Sequence, residues 1–418
     1  MKNYKNSICV NCGSGDLSQF LDLGNQPNGN HFPTVETLSG EKSFPFAMDV
    51  CLDCWQVQLE EFPSPEFMFR DHPYITGINK PVVEHFQKLS KSIVEKYDLS
   101  SNSLILDIGC NDGTFLQKFA KLGMRTLGVD PGSITGKLCE QNGINVCKTF
   151  WSKATGESLS NLNLIPDIIT ATAVFYHIPD LQDFVSGLRA VMNNRTVFIT
   201  QCVYLKDVIE KNQFDHFYHE HTMIHSLAPL KRLFEANSMR MIDVEFDPIH
   251  GGSFILHVAL SSSIYPASKK VSDALIKEKA AKLNDFSTFA AFSKRVESNK
   301  NELLKLLSKL KEEGKSVYGL CAPVKGSTLL NYCQIGPDLI PKVLEINPHK
   351  IGKLTPGTYI PIVDEKTIEE QPDYYLVLSW NFLDFFINKY TDYLNNGGQL
   401  IVPNPEIRII NKDNLSAE

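Results

Sequence analysis

Leu104 to Phe115, LILDIGCNDGTF, is the stretch on which the reading of this chain turns. An apolar run, Leu104 to Leu106, ends in Asp107 and passes through Gly109-Cys110-Asn111-Asp112-Gly113 into Phe115 to Leu122, which has helical apolar spacing. The pattern predicts a strand, a glycine turn and a helix start. Glycines at 109 and 113 let backbone approach a ligand that a Cβ would hold off. Such a turn lies at the carboxyl end of a strand, where open α/β sheets bind ligands. The next strand, Arg125 to Val129, ends in Asp130, whose two carboxylate oxygens suit the hydroxyls of a ribose. The dinucleotide fingerprint G-x-G-x-x-G is absent, because G-C-N-D-G lacks the middle glycine that admits a pyrophosphate.

Outward from this turn, strands and helices alternate. Helical segments are expected at Lys80 to Tyr97 and Ile134 to Asn142, and strands at Ile144 to Cys147, Asp167 to Ala173 and Val197 to Cys202. Met241 to Phe246 and Ser253 to Leu260 read as an antiparallel edge pair joined across His250-Gly251-Gly252. That alternation implies a parallel, doubly wound sheet. Pro266 to Lys311, rich in Lys, Ala, Ser and Leu, reads as one long or two short exposed helices connecting domains. After Ser316 the run VYGLCAPVKGSTLLNYC repeats strand, turn and helix, and strands at Lys342 to Asn347, Tyr374 to Trp380 and Gln399 to Pro403 complete a second, smaller α/β unit. A helix over Leu383 to Leu394 lies between the last two.

At 418 residues the chain exceeds one compact core. The expected division is a module over 1–66, a central domain over 67–262, a helical connector over 263–312 and a closing domain over 313–418. A net charge of -7 argues against broad nucleic-acid binding. No run approaches ~18 uninterrupted apolar residues and the first ten residues are polar, so neither a membrane span nor a signal peptide is expected. A cytoplasmic location follows, in which ten cysteines do not form a disulfide framework. Four of them explain themselves as two C-x2-C knuckles, Cys9 with Cys12 and Cys51 with Cys54, sufficient for a closed structural zinc site. The other six read as small core residues.

Two clusters carry titratable groups. Phe175-Tyr176-His177-Ile178-Pro179-Asp180 follows the expected strand at 167–173, and Phe214 to Ser226, FDHFYHEHTMIHS, holds His216, Tyr218, His219, Glu220, His221 and His225. So dense a set exceeds what a fold requires, since each group needs a partner when buried. A catalytic metal is one reading, weakened by the lack of an H-x-x-x-H pair; a general-base cluster is the other. In an extended segment His219 and His221 share a face, whereas on a helix Tyr218 and His221 do.

The glycine turn with Asp107, Gly109, Asn111 and Gly113, and Asp130 beyond it, resembles the S-adenosylmethionine site of class I methyltransferases. With the two knuckles, F-Y-H-I-P-D, Y-H-E-H and A-P-V-K-G-S-T-L-L-N-Y, essentially the whole chain resembles the nucleotide-sugar C-methyltransferases. The resemblance implies an α/β protein in three parts: a small zinc-binding module, a Rossmann-like methyltransferase domain and a carboxy-terminal Rossmann-like domain. It implies methylation at C3 of a nucleotide-linked 4-keto deoxysugar, carried by thymidine or guanosine diphosphate, by way of an enolate. It places Tyr218, Glu220, His221 and His177 in the catalytic group and Tyr74 against substrate.

In that frame His221 suits the base, with Glu220 orienting it, and His177 and Tyr218 donating to the enolate oxygen. Lys325 and Ser327, at the second glycine turn, suit a phosphate, a plain strand-helix turn being the alternative. Asn347 and Asn381, at comparable strand ends, suit base or sugar. Two other functions fit parts of the pattern: O-methylation of a sugar or phosphosugar, and a zinc-knuckle binding module on a non-catalytic methyltransferase fold.

Overall fold

The computed structural model describes residues 3–70, 72 and 74–415. Its centre is a seven-stranded sheet in the spatial order Met239–Asp247, Ser253–Leu260, Val197–Val203, Ile168–Thr172, Leu104–Ile108, Arg125–Val129, Val146–Cys147. The last five are parallel, and the hairpin of Met239–Asp247 with Ser253–Leu260 adds antiparallel against Val197–Val203. All five residues of Leu104–Ile108 and all seven of Val197–Val203 are buried. Continuous apolar strands of this kind need helices on both faces. Helix Lys80–Lys96 covers one face through Val82, Phe86, Leu89 and Ile93, and Leu181–Val191 covers the other through Phe184, Val185 and Leu188.

The closing unit is a six-stranded sheet, ordered Ile362–Asp364, Val343–Glu345, Val317–Leu320, Tyr374–Val377, Gln399–Val402, Arg408–Ile410. Numbered along the chain that order is 3-2-1-4-5-6, the doubly wound arrangement whose ligand crevice lies between its first and fourth strands. The helix expected over 383–394 breaks at Tyr390 into Leu383–Lys389 and Thr391–Asn395.

At the amino end, Leu17–Pro27, Ser43–Cys51 and Val57–Leu59 form an antiparallel sheet whose fourth strand is Met223–Ile224, drawn from the central part of the chain. The connector is helical as expected, over Lys269–Ala280 and Phe286–Glu312, but the second helix is not an exposed one: it is a spine. Its Phe289, Phe292, Val296, Leu303 and Leu307 are buried, and Phe289 packs edge-on against Phe20 of the amino-terminal sheet. Lysines on the outer face masked this apolar stripe in the composition. One continuous apolar core therefore runs from Phe20 and Phe46 through Ile169 and Phe198 to Leu329 and Leu376. The three sheets are packed as one body around it.

Candidate active site

The glycine turn has three residues in the left-handed region, Gly109 at φ 70°, Asn111 at 52° and Gly113 at 77°. The requirement for glycine comes partly from neighbours, which the sequence did not disclose. A Cβ on Gly109 would stand 2.5 Å from Val174 Cγ2, and one on Gly113 would stand 2.9 Å from Cys139 Sγ. Asp107 is buried and accepts a hydrogen bond from Thr170 Oγ1 at 2.6 Å. Burial pushes its carboxyl up to about 7, with Asp130 adding to the effect and Thr170 opposing it. Asp130 accepts from Asn111 N at 2.8 Å through one oxygen, and from Gly132 N and Thr135 Oγ1, each at 2.8 Å, through the other. It thus braces the turn.

A strap just beyond the amino-terminal module, residues 74–77, crosses this turn. Asn111 Oδ1 accepts from Thr76 N at 2.9 Å and its Nδ2 donates to Tyr74 O at 3.0 Å, while Asp112 Oδ2 accepts from Gly77 N at 2.9 Å. Tyr74 stands at the rim, 43% exposed. Asn111 and Asp112 therefore anchor the strap, a tertiary role that spacing alone does not reveal.

The histidine-rich loop opens with the short helical turn Phe214–His216 and ends in Met223–Ile224. It is neither helix nor strand through Tyr218 to Thr222, so neither periodicity considered for it applies. Pairing of Met223 with Gln58 and Ile224 with Val57 pins its end to the amino-terminal sheet. His221 donates from Nδ1 to the His216 carbonyl at 2.7 Å, and the His177 imidazole bonds through Nδ1 to the Glu220 carbonyl. Burial lowers the pKa of both rings, that of His221 well below its ordinary value; His177 adds to the lowering at His221, while at His177 the Glu220 carboxylate opposes burial and His72 adds to it. Each ring is then a neutral imidazole with its lone pair on Nε2. Their centroids lie 5.2 Å apart, and Tyr218 lies over His221 at 3.8 Å. Burial raises the Tyr218 phenol well above its ordinary pKa, so it keeps its proton.

Glu220 does not orient His221, because its carboxylate faces elsewhere. It accepts from Asn30 Nδ2 at 2.6 Å and pairs with His72 Nε2 at 3.1 Å. Burial pushes its carboxyl up, but His72, His177 and Asn30 outweigh that and hold it below the usual carboxylate value. His72 is raised despite burial because Glu220 faces it. Asn30 and His72 were missed in the sequence; N-G-N in the loop between the knuckles and H-P-Y in the strap were their only local signals. His219 and His225 belong to the fold. His219 bonds the Pro45 carbonyl at 3.2 Å between Phe44 and Phe46, and His225 stacks on Phe175.

The carboxy-terminal turn places its polar groups inward. Lys325 Nζ lies 3.1 Å from His216 Nε2, and Ser327 Oγ donates to Gly29 O at 3.2 Å. The two groups expected at a phosphate are thus engaged by the rest of the chain, since Val324–Cys333 packs against the histidine-rich loop and the amino-terminal sheet. Asn347 and Asn381 remain partly exposed at the mouth of this sheet. Asp215, also missed, accepts from Trp380 Nε1 at 2.6 Å.

The four knuckle sulfurs, Cys9, Cys12, Cys51 and Cys54, lie within 4.8 Å of one another, with Cys9 to Cys54 at 3.5 Å and Cys12 to Cys51 at 3.7 Å. Tetrahedral Zn–S bonds of about 2.3 Å set sulfur–sulfur edges of about 3.8 Å, so the donor set fits zinc with no open position. A neighbouring thiol pulls Cys9 down to about 5 while burial pushes Cys51 up to about 11. Four crowded sulfurs that cannot all ionise alone are what a dication relieves. Among the described residues no other His, Cys, Asp or Glu group converges in this way, and the histidines of residues 216–225 do not.

Comparison with known proteins assigns each part. Residues 9–69 match a family described as "Putative zinc binding domain", residues 83–243 a "Methyltransferase domain", and residues 248–405 a "C-methyltransferase C-terminal domain". The C-methyltransferase NovU of Streptomyces niveus is 30% identical over 407 residues, 97% of this chain and 97% of its own. An uncharacterized methyltransferase of Schizosaccharomyces pombe is 28% identical over 131 residues, 29% of this chain and 48% of its own. Among solved structures, magnesium protoporphyrin IX methyltransferase (ChlM) from Synechocystis PCC 6803 with bound SAH is 16% identical. That match covers 42% of this chain and 83% of that one, at a TM-score of 0.33.

Proposed function

The chain belongs to the S-adenosylmethionine-dependent C-methyltransferases, and on that premise we propose that it methylates C3 of a nucleotide-linked 4-keto deoxysugar through an enolate. The observation that carries the reading is the pair of neutral imidazoles, His177 and His221, each held through Nδ1 by a backbone carbonyl. A proton beside a ketone is weakly acidic, so its removal needs a positioned lone pair and a donor for the developing oxyanion. His221 Nε2 supplies the lone pair. Tyr218, stacked on that ring and protonated, supplies the donor.

His177 fits a different role from donation. With its Nδ1 proton committed to Glu220 O, its Nε2 accepts, which suits a substrate hydroxyl. Glu220, Asn30 and His72 tie the catalytic loop to the strap that carries Tyr74, and Tyr74 lines the rim on the sugar side. S-adenosylmethionine, held by Asp107, Gly109, Asn111, Gly113 and Asp130, supplies the electrophilic methyl group. That methyl group would pass to C3 as its bond to sulfur breaks, leaving S-adenosylhomocysteine, while the enolate oxygen, held by Tyr218, would return to a ketone. The nucleotide, thymidine or guanosine diphosphate, lies along the mouth of the carboxy-terminal sheet by Asn347 and Asn381. The unit boundaries at 66, 262 and 312 divide zinc binding, methyl transfer, the spine and substrate grip. Ten free cysteines, and no helix long and apolar enough to cross a membrane among the described residues, support work in the cytoplasm.

The test is isotopic. Thymidine- and guanosine-diphosphate 4-keto sugars are incubated with the protein in heavy water without methyl donor. Deuterium entering C3, and lost in His221→Ala with cofactor affinity retained, is the expected result. Methylation of a hydroxyl with no deuterium at C3 overturns it in favour of O-methyl transfer.

A further inference from the structure

The carboxy-terminal unit reaches the catalytic loop with three side chains. Lys325 Nζ lies 3.1 Å from His216 Nε2, Thr328 Oγ1 donates to Phe217 O at 3.0 Å, and Trp380 Nε1 donates to Asp215 Oδ2 at 2.6 Å. Consecutive residues 215, 216 and 217 are therefore all gripped from one side. His216 is the residue whose carbonyl receives the His221 Nδ1 proton. The same ammonium lies 5.0 Å from the centroid of the Trp380 ring, in a cation–π contact that fixes its position.

Resting on the reading of His221 as the base, we propose that Lys325 is a positioning residue for it: it anchors His216, which fixes the His221 tautomer, and stands as a cation behind the His221 ring. A phosphate ligand would need this ammonium turned toward the mouth of the carboxy-terminal sheet, and it is turned toward the loop instead. Around His221 stand His177, Tyr176, Tyr218 and His216, with His250 and Lys325 beyond. Around Lys325 stand Asp215, His216, His250 and Trp380.

Burial lowers the lysine to about 8, with Asp215 opposing, so a substantial cationic fraction persists at neutral pH. That charge disfavours protonation of His221, after burial and His177. Lys325 therefore helps keep the His221 lone pair free, and it makes docking of the carboxy-terminal unit a condition for an ordered base.

The experiment uses full-length protein carrying 13C-labelled histidine, with S-adenosylhomocysteine bound. The His221 ring resonance is assigned as the one missing in His221→Ala. In Lys325→Met the titration of that resonance, and the acid limb of kcat with the 4-keto sugar that wild type turns over, both move up by about half a pH unit or more. KM for the sugar nucleotide changes less than twofold. Lys325→Arg, which keeps the charge, restores the wild-type limb, and this rescue also guards against a folding defect in the methionine variant.

An unmoved resonance and acid limb, with KM raised tenfold and weaker binding of thymidine or guanosine diphosphate, overturns the proposal and returns Lys325 to the phosphate. Failure of the underlying reading looks different. There His221→Ala itself keeps turnover within a few-fold of wild type.

Discussion

Replacing Asp107 by asparagine tests how this chain holds the cationic part of its cofactor. Asp107 is 2% exposed and its carboxyl is pushed up to about 7 by burial, with Asp130 adding and Thr170 opposing. A ligand carrying a sulfonium and an ammonium binds the carboxylate form, so binding expels a proton from whatever fraction is neutral. With a pKa of about 7, about nine-tenths of Asp107 is protonated at pH 6 and about a quarter at pH 7.5. S-adenosylmethionine should then bind about eightfold tighter at pH 7.5 than at pH 6, about 1.3 kcal/mol.

Isothermal titration at both pH values, in buffers of different ionisation enthalpy, reads both quantities. Proton release should be close to 0.9 per ligand at pH 6. Asp107→Asn should bind more weakly and lose the pH dependence. A dissociation constant that stays within twofold across that range in the wild type, with no proton release, would refute the placement of the cation beside Asp107.

Two other outcomes follow from the geometry. Cys51→Ser should lower bound zinc from about one ion per chain toward none, read by metal analysis, and should cut turnover as well. The reason is that the sheet it anchors takes Met223–Ile224, the end of the loop that carries His221, as its fourth strand. Gly109→Ala should cost about 1–2 kcal/mol for the left-handed backbone alone, and more for a Cβ 2.5 Å from Val174 Cγ2. Cofactor affinity measured by titration should fall, and adding Val174→Ala should recover part of the loss, since the two positions are in contact.

Much of the fold was legible locally. Asp107 and Asp130 end strands where the alternation of apolar runs and turn residues puts strand ends, and that pattern depends on neighbours only a few positions away. The long helix Phe286–Glu312 was legible as a helix but not as a core element, because its buried stripe of Phe289, Phe292, Val296, Leu303 and Leu307 faces partners from other sheets. Density of titratable groups singled out residues 216–225 as a group. It overstated their number at the site, since His219 and His225 satisfy backbone carbonyls of Pro45 and Phe175 in the core.

The partnerships inside the site were beyond local reading. Glu220 stands next to His221 in sequence, yet the chain reverses there and sends the carboxylate to Asn30 and His72 while the imidazole returns to His216 O. Lys325 sits in the first turn of helix Val324–Cys333, in a stretch whose composition suits a phosphate, and packing of that helix against the turn Phe214–His216 points it at His216.

By itself, then, the sequence determined the zinc knuckles, the glycine turn and the two doubly wound sheets, because each depends on spacings within a few residues or on apolar periodicity. Tertiary structure decided which groups face one another: it joined Met223–Ile224 to the amino-terminal sheet, laid the strap across Asn111 and Asp112, and held the imidazoles of His177 and His221 each through Nδ1. Apart from the bond of His221 to His216 O, which closes over five residues, those outcomes rest on hydrogen bonds between segments tens of residues or more apart, whose partners no local pattern encodes.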